Sequence, residues 1–246
     1  MPEPTPLVLL HPFPLDASFW APVAPLLAAD REVVTVEFPG LGAAPSVEAP
    51  SVDAFADLVA ERIAAMRGGR AAVCGLSLGG YVALSLAARH PARVAALVLA
   101  DTRAEADTPD AAEGRRRSAA LVRRAGTSPF FDDFIPRMVA PGDDAGREAA
   151  RAIADRQDPE AVARALEALA GRADRRADLP GIAAPALVVL GSEDALTPLP
   201  FAETLVAGLP DAELAVIQGA GHLTALERPA EFAAAVRAFL SRRLGP

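Results

Sequence analysis

The segment Gly75-Leu76-Ser77-Leu78-Gly79 holds one serine with a glycine two positions to either side, after an apolar run and ahead of a helical pattern. With 18 glycines and nine serines in 246 residues, chance alone supplies only about 0.05 such patterns. A tight strand-to-helix turn gives the physical reason. The serine at its apex takes a positive φ, and only very small flanking residues let the backbone bend so sharply. A hydroxyl on such a turn is a weak nucleophile at neutral pH and needs a base, itself oriented by an acid. The plainer reading of the same residues is a glycine-rich turn with a capping serine.

Three histidines could supply the base. His90 precedes Pro91 at a helix end, where contact with the helix C-terminus accounts for it. His11 precedes Pro12 in the first loop, ahead of the serine. His222 lies in Gly219-Ala220-Gly221-His222-Leu223-Thr224, a glycine-rich loop between the last strand and the closing helix, and is the expected base. For the acid, Asp194 follows the fifth apolar run in Gly191-Ser192-Glu193-Asp194, while Asp101 ends the fourth and Glu193 is adjacent. The chain order serine, aspartate, histidine favours Asp194. Any of these carboxylates could instead cap a loop or helix.

These residues need a sheet whose carboxyl edge gathers them. Short apolar runs alternate with longer helical patterns, which predicts an α/β fold with a mostly parallel sheet of about six strands and helices on both faces. The expected strands are Leu7–Leu10, Val33–Phe38, Ala71–Gly75, Val94–Ala100, Ala186–Leu190 and Glu213–Ile217. Ser51 as N-cap opens a crossover helix with Phe55, Val59 and Ile63 on one face, and Gly80 to His90 reads as the helix after the serine. Pro229 opens a closing helix marked by Phe232, Val236, Phe239 and Leu240. Residues 1–102 and 181–246 form the expected core domain. Residues 103–180, without a convincing strand, form an expected helical insertion with helices over Ala111–Ala125, Phe130–Val139, Asp144–Gln157 and Pro159–Gly171.

Composition removes other classes of function. Basic and acidic residues number 24 and 32, a net charge of −8 that argues against a nucleic-acid partner. The insertion is nearly balanced, with 14 arginines against 15 acids. Its run Arg115-Arg116-Arg117 reads as a solvated helix face, although one of these could pair with an anionic substrate. A single cysteine, Cys74, gives no sign of an oxidising compartment. The start Met1-Pro2-Glu3-Pro4 lacks a basic leader, and nothing approaches the roughly 20 apolar residues of a membrane span. A soluble, cytoplasmic protein without metal or other cofactor is expected.

The chain resembles the α/β-hydrolase superfamily over nearly its whole length. The stretches that carry the resemblance are Leu9-Leu10-His11-Pro12-Phe13-Pro14-Leu15-Asp16, the turn at Gly75–Gly80, Val188–Asp194 and Gly221-His222. Within it the chain is most similar to the esterase and 3-oxoadipate enol-lactonase-like branch, whose helical cap is inserted where residues 103–180 sit. The resemblance implies Ser77 as nucleophile, Asp194 and His222 as its partners, and an oxyanion hole of backbone N–H groups. Where the family usually has His-Gly, this chain has His11-Pro12, and proline has no N–H. The donors the resemblance implies are then Phe13 and Leu78. The chain also begins almost directly at the strand the family counts third, so six strands are expected rather than eight.

The reaction so implied is hydrolysis of a small carboxylic ester or lactone through an acyl-enzyme. Trp20, Phe130, Phe131 and Phe134 are candidates for the substrate pocket, though aromatics beside a loop also simply pack. Peroxide as acceptor, carbon–carbon bond cleavage on the same triad, or a slow-turnover ligand receptor are the alternatives. A serine at position 77 disfavours the aspartate-nucleophile relatives.

Overall fold

The computed structural model describes residues 4–245. Six strands, β1 (Leu7–Leu10), β2 (Val33–Val36), β3 (Ala71–Leu76), β4 (Val94–Ala100), β5 (Ala186–Gly191) and β6 (Ala212–Ile217), pair in the order β2-β1-β3-β4-β5-β6. Every pairing is parallel. Strands β1, β3, β4 and β5 are buried along their whole length, which is why they read as unbroken apolar runs. The edge strands β2 and β6 are only partly covered. β6 carries Glu213, which pairs with Arg242 at 2.7 Å, a charge that blunts the open edge.

The helices are α1 (Ala24–Leu27), α2 (Val52–Ala65), α3 (Leu78–Arg89), α4 (Pro109–Ala125), α5 (Ser128–Phe134), α6 (Asp144–Ala154), α7 (Pro159–Ala170), α8 (Leu199–Gly208), α9 (Thr224–Glu227) and α10 (Pro229–Leu244). Helix α2 packs on α3, and α1 on α10. Right-handed crossovers put these two pairs on opposite faces, because β1→β2 and β2→β3 step in opposite directions across the sheet. The Ser51 hydroxyl accepts the Ala54 N–H at 3.0 Å and starts α2, whose Phe55, Val59 and Ile63 face the core. Among the described residues no helix is long and apolar enough to cross a membrane.

Four helices, α4 to α7, stand between β4 and β5, and α4 packs along α7. The side chains of Thr108, Asp143 and Asp158 cap α4, α6 and α7. Arg123 of α4 ties to Glu160 and Glu167 of α7 at 2.9 and 2.5 Å. Three expected elements end early, among them the helix expected over Asp144–Gln157, which stops at Ala154. The helix expected over Phe130–Val139 stops at Phe134 and tightens into a 3-10 turn at Ile135–Arg137, because Pro136 has no N–H for an α-helical bond. The second strand stops at Val36 because the Phe38 N–H turns to the His11 ring instead of a neighbouring strand, at 3.2 Å.

The chain leaves β1 toward β2 on one side, then returns to build outward from β3 on the other. That reversal makes the β1/β3 carboxyl ends a topological switch point, where open α/β sheets leave a crevice. Leu10 is level with Gly75, so the loop after β1 and the turn after β3 emerge side by side.

Candidate active site

Ser77 stands at the turn between β3 and α3 with φ 54 and ψ −110, a conformation that costs a serine roughly 1–3 kcal/mol. The surroundings hold it there. Its N–H donates to Ala100 O at 2.9 Å, and its carbonyl accepts the Thr102 hydroxyl at 2.9 Å. The two glycines are required by space as well as curvature. A Cβ on Gly75 would lie 2.1 Å from Gly79 O, and one on Gly79 would lie 2.0 Å from Leu10 O.

His222 reaches this serine from the loop after β6. Its Nε2 is 2.8 Å from Ser77 Oγ, and its Nδ1 is 2.9 Å from Asp194 Oδ2. Asp194 is fixed by its own loop: Oδ1 accepts the Leu196 and Thr197 N–H groups at 2.8 and 3.0 Å, and Oδ2 accepts the Thr197 hydroxyl at 2.5 Å. Burial works against its charge, but the adjacent His222 ring and the Thr197 donors hold the Asp194 carboxyl at about 2. Three residues named from the sequence therefore form one continuous chain of hydrogen bonds.

Asp101, the competing acid, is placed elsewhere. One oxygen accepts the Gly191 N–H at 2.9 Å and the other accepts the Thr224 hydroxyl at 2.5 Å, so it ties β4 to β5 and to the start of α9. Complete burial, and then the negative charge of Asp194, push its carboxyl well above the usual carboxylate range. His11 is also fully buried, donating from Nδ1 to Pro12 O at 3.1 Å while its Nε2 accepts the Phe38 N–H. Burial lowers its pKa to about 4, so it holds the first loop as a neutral ring. His90 lies at the far end of α3, 2.6 Å from Asp57.

Ser77 and His222 open on a cavity of about 100 Å³ that Phe13, Leu78, Phe134, Arg103 and Arg115 also line. Among the described residues, the Phe13 and Leu78 N–H groups have no protein acceptor. Leu78 is the first residue of the twelve-residue α3, whose N-terminal end favours negative charge.

The aromatic candidates separate. Phe134 lines the cavity, 6.0 Å from Phe13 between ring centres, and Phe130 stacks behind it at 5.1 Å. Phe131 is fully buried and turns from the cavity toward an outer groove beside Asp132 and Arg151. Trp20 does not line the cavity either. It is fully buried against Phe19 and Phe232, so the expectation of a pocket role is corrected to core packing. Arg115 departs from its solvated neighbours Arg116 and Arg117 and points inward to Asp107 at 2.5 Å.

Glu227 escaped the sequence reading. Its buried carboxylate accepts N–H groups from Gly221 at 3.0 Å, Leu223 at 3.1 Å and Ala140 at 2.8 Å, binding the His222 loop to the segment after α5. A Cβ on Gly221 would lie 2.4 Å from Ala140 N, so that segment passes directly over the loop. The pattern Gly-His followed five residues later by a glutamate was the only signal for it. Among the described residues no group of three His, Cys, Asp or Glu side chains could hold a metal ion.

Residues 7–235 match the alpha/beta hydrolase family. The chain is 36% identical to the pimeloyl-(acyl-carrier protein) methyl ester esterase of Aromatoleum aromaticum, over 92% of this chain and 94% of that protein. A thermophilic esterase from Thermogutta terrifontis, solved with malate bound, superposes with a TM-score of 0.94 at 32% identity, covering 98% of this chain and 90% of that one. The enol-lactonase from Burkholderia xenovorans LB400 gives 0.89 at 26% identity, covering 98% and 92%.

Proposed function

The chain belongs to the alpha/beta hydrolase family, and from that premise we propose that it hydrolyses small carboxylic esters or lactones through an acyl-enzyme on Ser77. One observation carries this reading: the unbroken Ser77–His222–Asp194 chain, at 2.8 and 2.9 Å, opening on a cavity also lined by Phe13 and Leu78, whose N–H groups have no protein acceptor among the described residues. The named relatives, a methyl ester esterase and an enol-lactonase, support the acyl C–O bond as the target.

Asp194 keeps the His222 proton on Nδ1, so Nε2 is free to accept the proton of Ser77 Oγ as that oxygen attacks the carbonyl carbon. The negative charge that develops on the carbonyl oxygen is received by the Phe13 and Leu78 N–H groups, reinforced by the α3 terminus. Each such donor is worth roughly 2.7–4 kcal/mol of barrier. The proton now on Nε2 passes to the departing alcohol oxygen, leaving the acyl ester on Ser77. A water then gives its proton to Nε2 and attacks the same carbon, and the proton returns to Ser77 Oγ. Residues 103–180 act as a cap, since Phe134 and Arg115 reach the cavity from them.

Partitioning with hydroxylamine tests the acyl-enzyme. Phenyl and p-nitrophenyl esters of one acid should give the same ratio of hydroxamate to free acid, because both pass through one intermediate. A ratio that changes with the leaving group would overturn it.

A further inference from the structure

Beside Ser77 the cavity carries a positive charge that the protein does not neutralise. Asp107, its side chain 1% exposed, is the shared partner of three guanidinium groups. Arg103 Nη2 and Arg172 Nη1 reach one of its oxygens at 2.6 and 2.8 Å, and Arg115 Nε reaches the other at 2.5 Å. Three positive charges thus meet one negative charge.

The three arginines are not equivalent. Arg172 is the most engaged and does not line the cavity: it donates to the Leu169 and Glu105 carbonyls at 3.1 and 3.0 Å and lies over the Tyr81 ring at 4.4 Å. Arg103 and Arg115 are the two that line the cavity with Ser77 and His222. Among the described residues each donates to protein from a single nitrogen, both times to Asp107; Arg103 also lies over the Phe201 ring at 5.0 Å, and its buried Nε, like that of Arg172, has no acceptor. No carboxylate is among the residues that line this cavity, and Glu105 makes no ion pair within 4.0 Å among the described residues. Because every basic residue of the chain is arginine, the residue type carries no weight here. Placement does: residues 103–180 are close to neutral as a whole, yet two partly unpaired guanidiniums face the reacting groups.

We propose that Arg103 and Arg115 form an anion subsite that binds a carboxylate of the substrate, so that the preferred esters are monoesters of short dicarboxylic acids. Partly buried guanidiniums with unused nitrogens are costly to leave unpaired, and the Nη1/Nη2 fork of Arg115, which donates to Asp107 only from Nε, matches a carboxylate by two parallel hydrogen bonds. The cavity of about 100 Å³ is well below the roughly 300–1,000 Å³ that holds drug-sized ligands, which limits the acyl portion to a few carbons. Phe13, Phe134 and Leu169 supply apolar walls for the methylenes between the two carbonyl groups.

This inference rests on the reading of Ser77 as the nucleophile, and the test separates the two. The ratio of kcat/KM for mono-p-nitrophenyl glutarate to that for p-nitrophenyl butyrate is measured for the wild type, Arg103→Gln, Arg115→Gln and the exposed control Arg116→Gln. Succinate binding is followed by calorimetry on the same four proteins, each checked for folding by its melting curve. One charge-assisted bond is worth about 1.5–3 kcal/mol, so the ratio should fall about tenfold or more in Arg103→Gln and in Arg115→Gln and stay put in Arg116→Gln. Succinate affinity should fall in parallel. Should both esters be hydrolysed with a ratio that neither variant shifts by about tenfold, the subsite is refuted and the nucleophile stands. Should the wild type hydrolyse neither ester while succinate binding depends on Arg103 and Arg115, the subsite stands and the nucleophile reading falls. Succinate binding unaffected by either substitution, in a protein that hydrolyses neither ester, refutes both.

Discussion

Replacing each of the two buried aspartates at the sheet edge by asparagine should have opposite consequences, although Asp194 and Asp101 are both within 5% of full burial. In Asp194→Asn the amide oxygen must stay on the Leu196 and Thr197 N–H groups, because an NH2 there would face two donors. The NH2 is therefore forced to the position of Oδ2, opposite His222 Nδ1 at 2.9 Å. It donates to Nδ1, the ring proton moves to Nε2, and Nε2 can no longer accept from Ser77. In serine proteases this wrong tautomer costs about 10⁴ in kcat, or about 5 kcal/mol of barrier. In Asp101→Asn the amide oxygen keeps the Gly191 N–H while the NH2 donates to the Thr224 hydroxyl, as the protonated acid would. Burial already drives Asp101 toward that neutral form, so kcat should change by less than about tenfold, roughly 1.4 kcal/mol. Steady-state hydrolysis of p-nitrophenyl acetate by both variants, with folding verified by circular dichroism, decides the matter. A larger loss in Asp101→Asn than in Asp194→Asn would refute the assignment of the acid.

Three further perturbations follow from single contacts. His11 is neutral when folded, with its pKa lowered from 6.5 to about 4, so protons bind the unfolded chain preferentially in that interval and stability is lost as the pH falls through it. Between about pH 7 and pH 5 this amounts to about 2 kcal/mol, which urea unfolding should detect in the wild type and find missing from His11→Asn; equal pH slopes would contradict it. In Glu227→Gln a new NH2 must face at least one of the Gly221, Leu223 or Ala140 N–H groups. A cost of about 1–3 kcal/mol should lower Tm by several degrees and reduce kcat with it, whereas an unchanged Tm and kcat would show the carboxylate to be dispensable. Phe134→Ala should raise the relative kcat/KM for longer acyl chains while Phe131→Ala chiefly costs stability, about 3–5 kcal/mol; the reverse pattern across a graded ester series would contradict the lining assigned to each ring.

What the sequence made legible follows from how each feature is built. The central strands are covered on both faces, so Leu7–Leu10 and Val94–Ala100 stand out as continuous apolar runs. Gly75 and Gly79 are visible because no larger residue fits where Gly79 O and Leu10 O approach. The charged groups were harder, because a charge pattern along a helix records exposure on average and not the one side chain that turns in. Arg115 looks like its neighbours Arg116 and Arg117, and what separates them is Asp107, eight positions earlier in the loop before α4. Glu227 was hidden for a related reason: its partners are backbone amides, which leave no trace in residue type. Trp20 could be read as pocket or core from its loop position alone, and only the Phe19 and Phe232 rings around it decide for the core.

Covalent trapping tests the central claim most directly. Treatment with a fluorophosphonate, followed by intact-mass measurement and peptide mapping, should give one adduct per chain, located on Ser77, with ester hydrolysis lost in proportion to labelling. Ser77→Ala should fold, resist labelling and be inactive. An adduct on a different residue, or ester turnover undiminished in Ser77→Ala, would contradict the account.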